Sequence, residues 1–535
     1  MTGPAHNTPT TKTAGARAHQ PSLPNIVFIL SDDQGPWALG CAGNDDIHTP
    51  VLDGLAAEGT RLENFFCVSP VCSPARASLM TGQIPSRHGI HDYLTGVEVG
   101  AGAPDYLAGQ QIFTDVLADN GYRMGLSGKW HMGANDAPRR GFVHWYGLEG
   151  GGSPYTGATM YRNGEREETT TYLTDAITED AHAFLDRESA RQVSVSQATG
   201  IGAAPGAATA PGAATAPEPF FLAVNYTAPH KPWKGQHPKE FEDLYADCAF
   251  ESCPQEEPHP WQPTVDGVAI GGEPDVRAAL VGYFAAVSAM DAAIGRIMEQ
   301  LERLGLRENT LVIFSSDNGF NAGHHGVWGK GNGTFPQNMY DSSVKVPAIF
   351  HWPGRITGGQ VRHELLSAYD IAATILDLTG LDPAPFETGP GTSFAPLLRP
   401  DATTADGGAA QERAGGAVVV YDEYGPVRMI RTQELKYVHR HPHGPHELYD
   451  LAADPGERMN LMHDAAPHPA LPGLRAQLAG WFAQHGVPEF DGAALPVAGA
   501  GQHRPLYAAG PGPSGETGSI PDPLRAFTGP NWDGA

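Results

Sequence analysis

The chain has 535 residues, long enough to bury a large core and, on length alone, to hold one large and one smaller domain. Its 60 acidic against 34 basic side chains leave a formal net charge of −26, which argues against a nucleic-acid partner or an anionic membrane surface. Five cysteines are an odd, sparse set and do not form a secreted disulfide framework; Cys248 and Cys253 could pair, but free thiols fit better.

No apolar run has the length of a membrane span, and residues 1–22 lack a hydrophobic signal core. They read as a disordered tail on a cytoplasmic protein. Asn25–Leu30 is continuously apolar, the pattern of a strand buried on both faces of a parallel sheet. Ser31-Asp32-Asp33-Gln34-Gly35 follows. Its adjacent carboxylates need a cation or donors, or else form an ordinary Asp-rich turn. Thr49-Pro50 opens a helix bearing Leu52, Leu55 and Ala56. The stretch Cys72-Ser73-Pro74-Ala75-Arg76-Ala77-Ser78-Leu79-Met80-Thr81-Gly82 predicts a short helix, with Pro74 at its first position and Gly82 as a left-handed stop. Cys72 then sits at the positive end of the helix dipole, with Arg76 on the same face. By itself this fits a buried structural cysteine or a thiol of lowered pKa.

Gln111–Asn120 reads as a helix, and Tyr122–Ser127 as a strand running into Gly128-Lys129-Trp130-His131. On extended backbone Lys129 and His131 point the same way, although a solvated turn is the plainer reading of that pair. Residues 170–187 read as a helix. Pro-Gly-Ala-Ala-Thr-Ala occurs at 205 and again at 211, so 193–217 is taken as a low-complexity insertion without chemistry. Phe220–Asn225 is another buried strand, followed by His230 and Trp233, and 237–275 reads as a long ordered loop. Asp275–Gly305 has the clearest helical periodicity. Thr310–Ser315 is a strand ending in Ser316-Asp317-Asn318-Gly319, with His324, His325 and Lys330 beyond it. Val344–His351 reads as a fifth strand and 364–380 as a helix. Residues 23–400 thus form a large α/β domain. Residues 415–490 form a small α+β unit with hairpin-spaced strands, and 491–535 a Pro/Gly-rich arm.

Four apolar strands therefore deliver polar groups just past their C-terminal ends: Asp32 and Asp33, Lys129 and His131, His230, and Asp317 and Asn318. In parallel α/β sheets the ligand crevice lies outside those ends, which places these groups in one site. Asp32, Asp33, Asp317 and the amide oxygen of Asn318 are a hard, all-oxygen set that suits Ca²⁺ or Mg²⁺ rather than zinc. Arg76, Lys129, Lys330 and the histidines supply the local positive charge an acidic protein needs to accept an anion.

Cys72-x-Pro74-x-Arg76 with Thr81-Gly82 resembles the signature of the type I sulfatases. The likeness runs from about Pro24 to Gly380, and again from Glu447-Leu-Tyr-Asp450 to Asn460-Leu461. It implies an alkaline-phosphatase-like α/β fold: a large mixed, mostly parallel sheet sandwiched by helices, with a smaller C-terminal α+β domain carrying an antiparallel sheet. It also implies that a formylglycine-generating enzyme oxidises Cys72 to formylglycine. Asp32, Asp33, Asp317, Asn318 and the modified Cys72 would hold calcium, Mg²⁺ fitting less well. Arg76 would orient the formylglycine hydrate, and Lys129 and Lys330 would grip the sulfate. Asp317 would help activate the attacking hydroxyl, His230 would protonate the leaving alcohol, and His131 would take the proton of the second hydroxyl. Trp233 and His325 join Lys129, His230 and Lys330 as expected substrate contacts. The expected activity is hydrolysis of a sulfate monoester, on a carbohydrate in preference to an aryl alcohol. The rivals are a phosphonate or phosphate ester hydrolase of the same superfamily, and a non-catalytic binding protein in which Cys72 stays unoxidised.

Overall fold

A computed structural model describes residues 23–199, 218–265, 268–269, 275–403, 405–408, 416–422, 426–441, 443–494 and 502. The tail at 1–22, residues 200–217 of the insertion and all of the arm beyond 494 except Gln502 lie outside the described residues.

The main sheet has ten strands. In chain order they are β1 (Asn25–Ser31), β2 (Thr60–Leu62), β3 (Arg123–Lys129), β4 (Phe142–Leu148), β5 (Thr159–Arg162), β6 (Glu165–Glu168), β7 (Phe220–Asn225), β8 (Thr310–Ser316), β9 (Ala348–His351) and β10 (Gln360–Arg362). Their order across the sheet is β10-β2-β9-β8-β1-β7-β3-β4-β5-β6. The central block β8-β1-β7-β3-β4 is parallel. Its strands are apolar because both faces are covered. Along β1, Phe28 and Leu30 enter one apolar cluster, while Val27 and Ile29 enter the other.

The expected fifth strand is shorter and runs antiparallel to β8. Asp341–Val344 is a helical turn, and Pro347 has no N–H for a ladder, so pairing begins at Ala348. β4 has no counterpart among the predicted strands.

Five helices matter here: α1 (Cys72–Thr81), α2 (Leu173–Thr199), α3 (Val276–Arg303), α4 (Ile371–Thr379) and α5 (Leu471–His485). α1 and α4 cover one face of the sheet through Ala77, Leu79, Ile371 and Ile375. α2 and α3 cover the other through Ile177, Phe184, Ile294 and Ile297. Asp275 caps α3 by accepting the Ala278 N–H at 3.1 Å. α3 is long and apolar enough to cross a membrane, contrary to the reading that no run is, but most of it is buried against the sheet. α4 starts seven residues later than expected. Ser367 and Asp370 form a capping box, with the Ser367 N–H donating to Asp370 Oδ2 at 2.8 Å. Gly380 ends α4 at φ 79°.

The C-terminal part is a four-stranded antiparallel sheet: β11 (Val418–Asp422), β12 (Val427–Arg431), β13 (Leu435–Arg440) and β14 (Glu447–Asp450). Val420, Tyr437, Leu448 and, from α5, Phe482 belong to the same apolar cluster as Phe28 and Leu30. One continuous core thus joins this sheet to the α1 face of the main one.

Candidate active site

The site lies past the C-terminal ends of β1, β3, β7 and β8, at the mouth of α1. Asp33 has φ 63°, a left-handed state that Asp adopts more readily than most residues. One oxygen each of Asp32 and Asp33 and the Cys72 sulfur lie within 4.8 Å of one another. α1 begins at Cys72 itself, so Pro74 is its third residue and not its first. That position is open to proline because first-turn N–H groups have no intrahelical partner. All ten residues of α1 are buried, and Gly82 closes it at φ 62°.

Each carboxylate is paired with one cation. Lys129 Nζ donates to Asp32 Oδ2 at 2.6 Å, Lys330 Nζ to Asp33 Oδ1 at 2.5 Å, and Arg76 Nε to Asp317 Oδ2 at 2.9 Å. Cys72 is held between two of these pairs. Its thiol donates to Asp32 Oδ1 at 3.4 Å and accepts from Lys330 Nζ at 2.7 Å. Arg76 makes no hydrogen bond to Cys72; its Nη1 donates to the Lys129 carbonyl at 3.0 Å, and its Nη2 is buried without a partner among the described residues. Asp317 makes none to Cys72 either. Its Oδ1 accepts the N–H groups of Asn318 at 2.8 Å and Asp33 at 3.3 Å. Asn318 Nδ2 donates to Asp33 Oδ1 at 2.8 Å, while its Oδ1 is buried without a partner among the described residues.

These surroundings set the protonation states. Burial, reinforced by Asp32, pushes the Cys72 thiol up to about 12. This runs against the lowered-pKa thiol that the helix mouth alone suggested, with burial as the largest influence. Burial opposes ionisation of Asp33, yet Lys330 and His230 hold it well below the usual carboxylate range. Burial and Asp32 raise Asp317 to about 6 against the pull of Arg76.

His131 and His230 flank the cluster. His131 Nε2 donates to the Leu94 carbonyl at 2.8 Å, which leaves Nδ1 as the lone-pair nitrogen, buried without a partner among the described residues. Burial and then Lys129 hold its pKa well below the usual range. His230 Nδ1 donates to the Lys231 carbonyl at 2.7 Å, and Nε2 lies 3.9 Å from Asp33 Oδ2. Burial pushes His230 down to about 3, with Asp33 acting in the opposite sense.

One expected substrate contact is corrected. Trp233 is 2% exposed; it packs edge-on to Tyr283 and Phe320, lies against Trp328, and donates Nε1 to the Pro229 carbonyl. It belongs to the core. His325, another expected contact, is half-buried with its ring stacked on Tyr340 at 3.7 Å. Asn225 was not singled out. It ends β7 and donates Nδ2 to the Lys129 carbonyl at 2.9 Å, and its place at the end of a predicted strand was the available signal. Gly151 and Gly152, also not singled out, lie against the two histidine rings, and the Gly150-Gly151-Gly152 run was the available signal.

The sulfatase family profile matches residues 24–199 and 207–381. The chain belongs to the sulfatase family. A second profile, the C-terminal region of N-sulphoglucosamine sulphohydrolase, matches residues 323–483. An ulvan-active sulfatase of Formosa agariphila is 30% identical over 455 residues, which is 83% of this sulfatase and 78% of that one. An N-acetylglucosamine-6-O-sulfatase of Bacteroides thetaiotaomicron is 27% identical over 524 residues, 84% of this chain and 85% of its own. A structure solved with its substrate D-glucosamine-2-N,6-O-disulfate superposes with a TM-score of 0.67 at 22% identity, covering 86% of this chain and 98% of that one. That likeness is one of fold, the alkaline-phosphatase-like arrangement. This chain is a sulfuric ester hydrolase of that superfamily.

Proposed function

We propose that this sulfatase hydrolyses a sulfate monoester on a carbohydrate, using formylglycine formed from Cys72 by a formylglycine-generating enzyme and a calcium ion held by Asp32, Asp33, Asp317, Asn318 and residue 72. The observation that carries the proposal is the pairing of three buried carboxylates with two buried cations, Arg76 and Lys129, and the partly buried Lys330, around the side chain at 72. That arrangement is balanced as it stands, so a divalent cation makes it positive and suited to an anion.

The residues fit such an ion. Asn318 Oδ1 is a buried acceptor with no donor among the described residues. Asp317 accepts three hydrogen bonds, which leaves one of a carboxylate's roughly four lone-pair sites. The sulfur of Cys72 is the one soft atom among hard donors, and replacing it with oxygen gives the set calcium prefers. Bound calcium supplies electrostatic stabilisation of the sulfate oxygens. A hydrated formylglycine supplies an oxygen nucleophile and a second hydroxyl for regeneration, neither of which a buried thiol offers.

The chain's own groups do the rest. Lys129 and Lys330 bind the sulfate oxygens. The proton shed on attack goes to the carboxylate cluster, in which Asp32 touches position 72 and burial raises Asp317 above the usual carboxylate range, making it a better proton acceptor. His230 delivers a proton to the leaving alcohol; Asp33 favours its charged form, and a bound anion adds to that pull. His131 takes a proton at Nδ1, because Leu94 fixes the other nitrogen as a donor.

The carbohydrate reading is supported by the sugar substrates in the names of the relatives. Its test is sulfate release by the formylglycine-bearing protein from N-acetylglucosamine 6-sulfate and related sugar sulfates, against matched phosphate and phosphonate esters. Sugar sulfates are expected to react at least about a hundredfold faster, on the scale of a misfitted transition state. Faster phosphonate turnover would favour the other branch of the superfamily.

A further inference from the structure

The loop after β4 reads Glu149-Gly150-Gly151-Gly152-Ser153-Pro154. It is pinned at both ends. Asn135 Nδ2 donates to the carbonyls of Leu148 and Glu149. Tyr155 OH donates to the His230 carbonyl at 2.9 Å, and its ring stacks on Tyr172. Between these anchors the backbone lies against both histidines. A Cβ on Gly151 would stand 2.3 Å from Cε1 and from Nε2 of His131. A Cβ on Gly152 would stand 2.7 Å from Cε1 of His230. A Cβ on Gly150 would meet only the Gly152 carbonyl, at an ordinary 3.6 Å. Neither Gly151 nor Gly152 has a left-handed φ, so their backbone admits alanine and the constraint is space alone.

We propose that Gly151 and Gly152 are positioning residues for the two histidines: their missing side chains let one loop backbone lie flush on both rings and fix the direction of each proton transfer. This rests on the reading of His230 as the acid and His131 as the base. Gly151 sets the ring that offers Nδ1, beside the Leu94 carbonyl. Gly152 sets the ring that faces the departing alcohol, beside the tyrosine-anchored carbonyl. One loop thereby couples the geometry of bond cleavage to that of regeneration.

The experiment uses the full-length, formylglycine-bearing, calcium-loaded protein and ring-substituted phenyl sulfates, from 4-nitrophenyl to unsubstituted phenyl. An acid is needed only where the leaving group is poor. Gly152→Ala is expected to stay within about threefold of wild type on 4-nitrophenyl sulfate and to lose about 10- to 100-fold in kcat on phenyl sulfate, a fraction of the full general-acid contribution. Gly151→Ala is expected to lower kcat on every member of the series to a similar degree. Gly150→Ala is expected to match wild type throughout. Tyr155→Phe frees the His230 carbonyl without adding bulk, and is expected to show the Gly152→Ala bias in weaker form. A flat loss across leaving groups for both Gly152→Ala and Tyr155→Phe overturns the inference. His230→Ala separates this from the parent reading. If His230→Ala shows the leaving-group bias and Gly152→Ala does not, the positioning role alone is wrong. If His230→Ala shows no bias, the acid assignment falls first and takes the inference with it.

Discussion

Lys129 and Asp32 are both fully buried and hold one another at 2.6 Å. Removing one partner of such a pair strands the other charge. Lys129→Met is therefore expected to lose about 3–5 kcal/mol of stability by urea unfolding. It should also lose at least about a hundredfold in kcat, as for loss of a preorganised donor. A loss of rate with unchanged stability would mean that Asp32 is already satisfied elsewhere. Cys72→Ser keeps a single oxygen at position 72 and is expected to fold normally but sustain no sulfate release in a steady-state assay. At this scale the sequence was legible where a residue's place follows from its own strand: Asp32, Asp33, Lys129, Asp317 and Asn318 each follow an apolar run. It was not legible where the surroundings come from afar. Trp233 looked like a sugar platform until Tyr283, Phe320 and Trp328, 50 to 95 residues away, enclosed it.

The parallel strands were readable because burial on both faces forces a continuous apolar run, and β1, β7 and β8 have one. β4 was missed because His144 and Gly147 interrupt its run and its aromatic residues are also compatible with a loop. The late start of α4 was written in Ser367-Ala-Tyr-Asp370, a capping box that apolar periodicity does not detect. The motif at Glu447–Leu461 proves to be a joint between the two sheets. Lys436 of β13 lies fully buried against Glu457, Asp341 Oδ1 and the Met339 carbonyl. Two carboxylates share this one lysine, so Asp341 is held low while Glu457 is raised by burial to about 7. Between its ordinary 4.5 and about 7 the folded chain keeps a proton on Glu457 that the unfolded chain has released. Stability from this group therefore falls as pH rises through that window. Glu457→Gln is expected to flatten that part of the profile, read as the difference between variant and wild-type urea midpoints at pH 5 and pH 7.5. An unchanged difference at the two pH values would place the titration elsewhere.

The molecule as a whole carries a formal charge of −26 and acts on anions, so the positive potential must be local. Calcium is the group expected to provide it, and ligand binding to the folded state is visible as stability. Calcium at a hundred times its dissociation constant is expected to stabilise the matured sulfatase by about 2.7 kcal/mol. The gain should vanish with a chelator and in Asp33→Asn. It should shrink in protein whose Cys72 remains a thiol, because the soft sulfur replaces an oxygen ligand. These expectations converge on the covalent state of position 72. The most direct test is the mass of the peptide containing Cys72, from protein produced with a formylglycine-generating enzyme, with sulfate release measured on the same sample. Conversion of CH₂SH to an aldehyde removes roughly 18 Da by composition. This loss is expected to be present, with activity rising in proportion to its occupancy. Full activity from a chain in which Cys72 remains an unmodified thiol would contradict it.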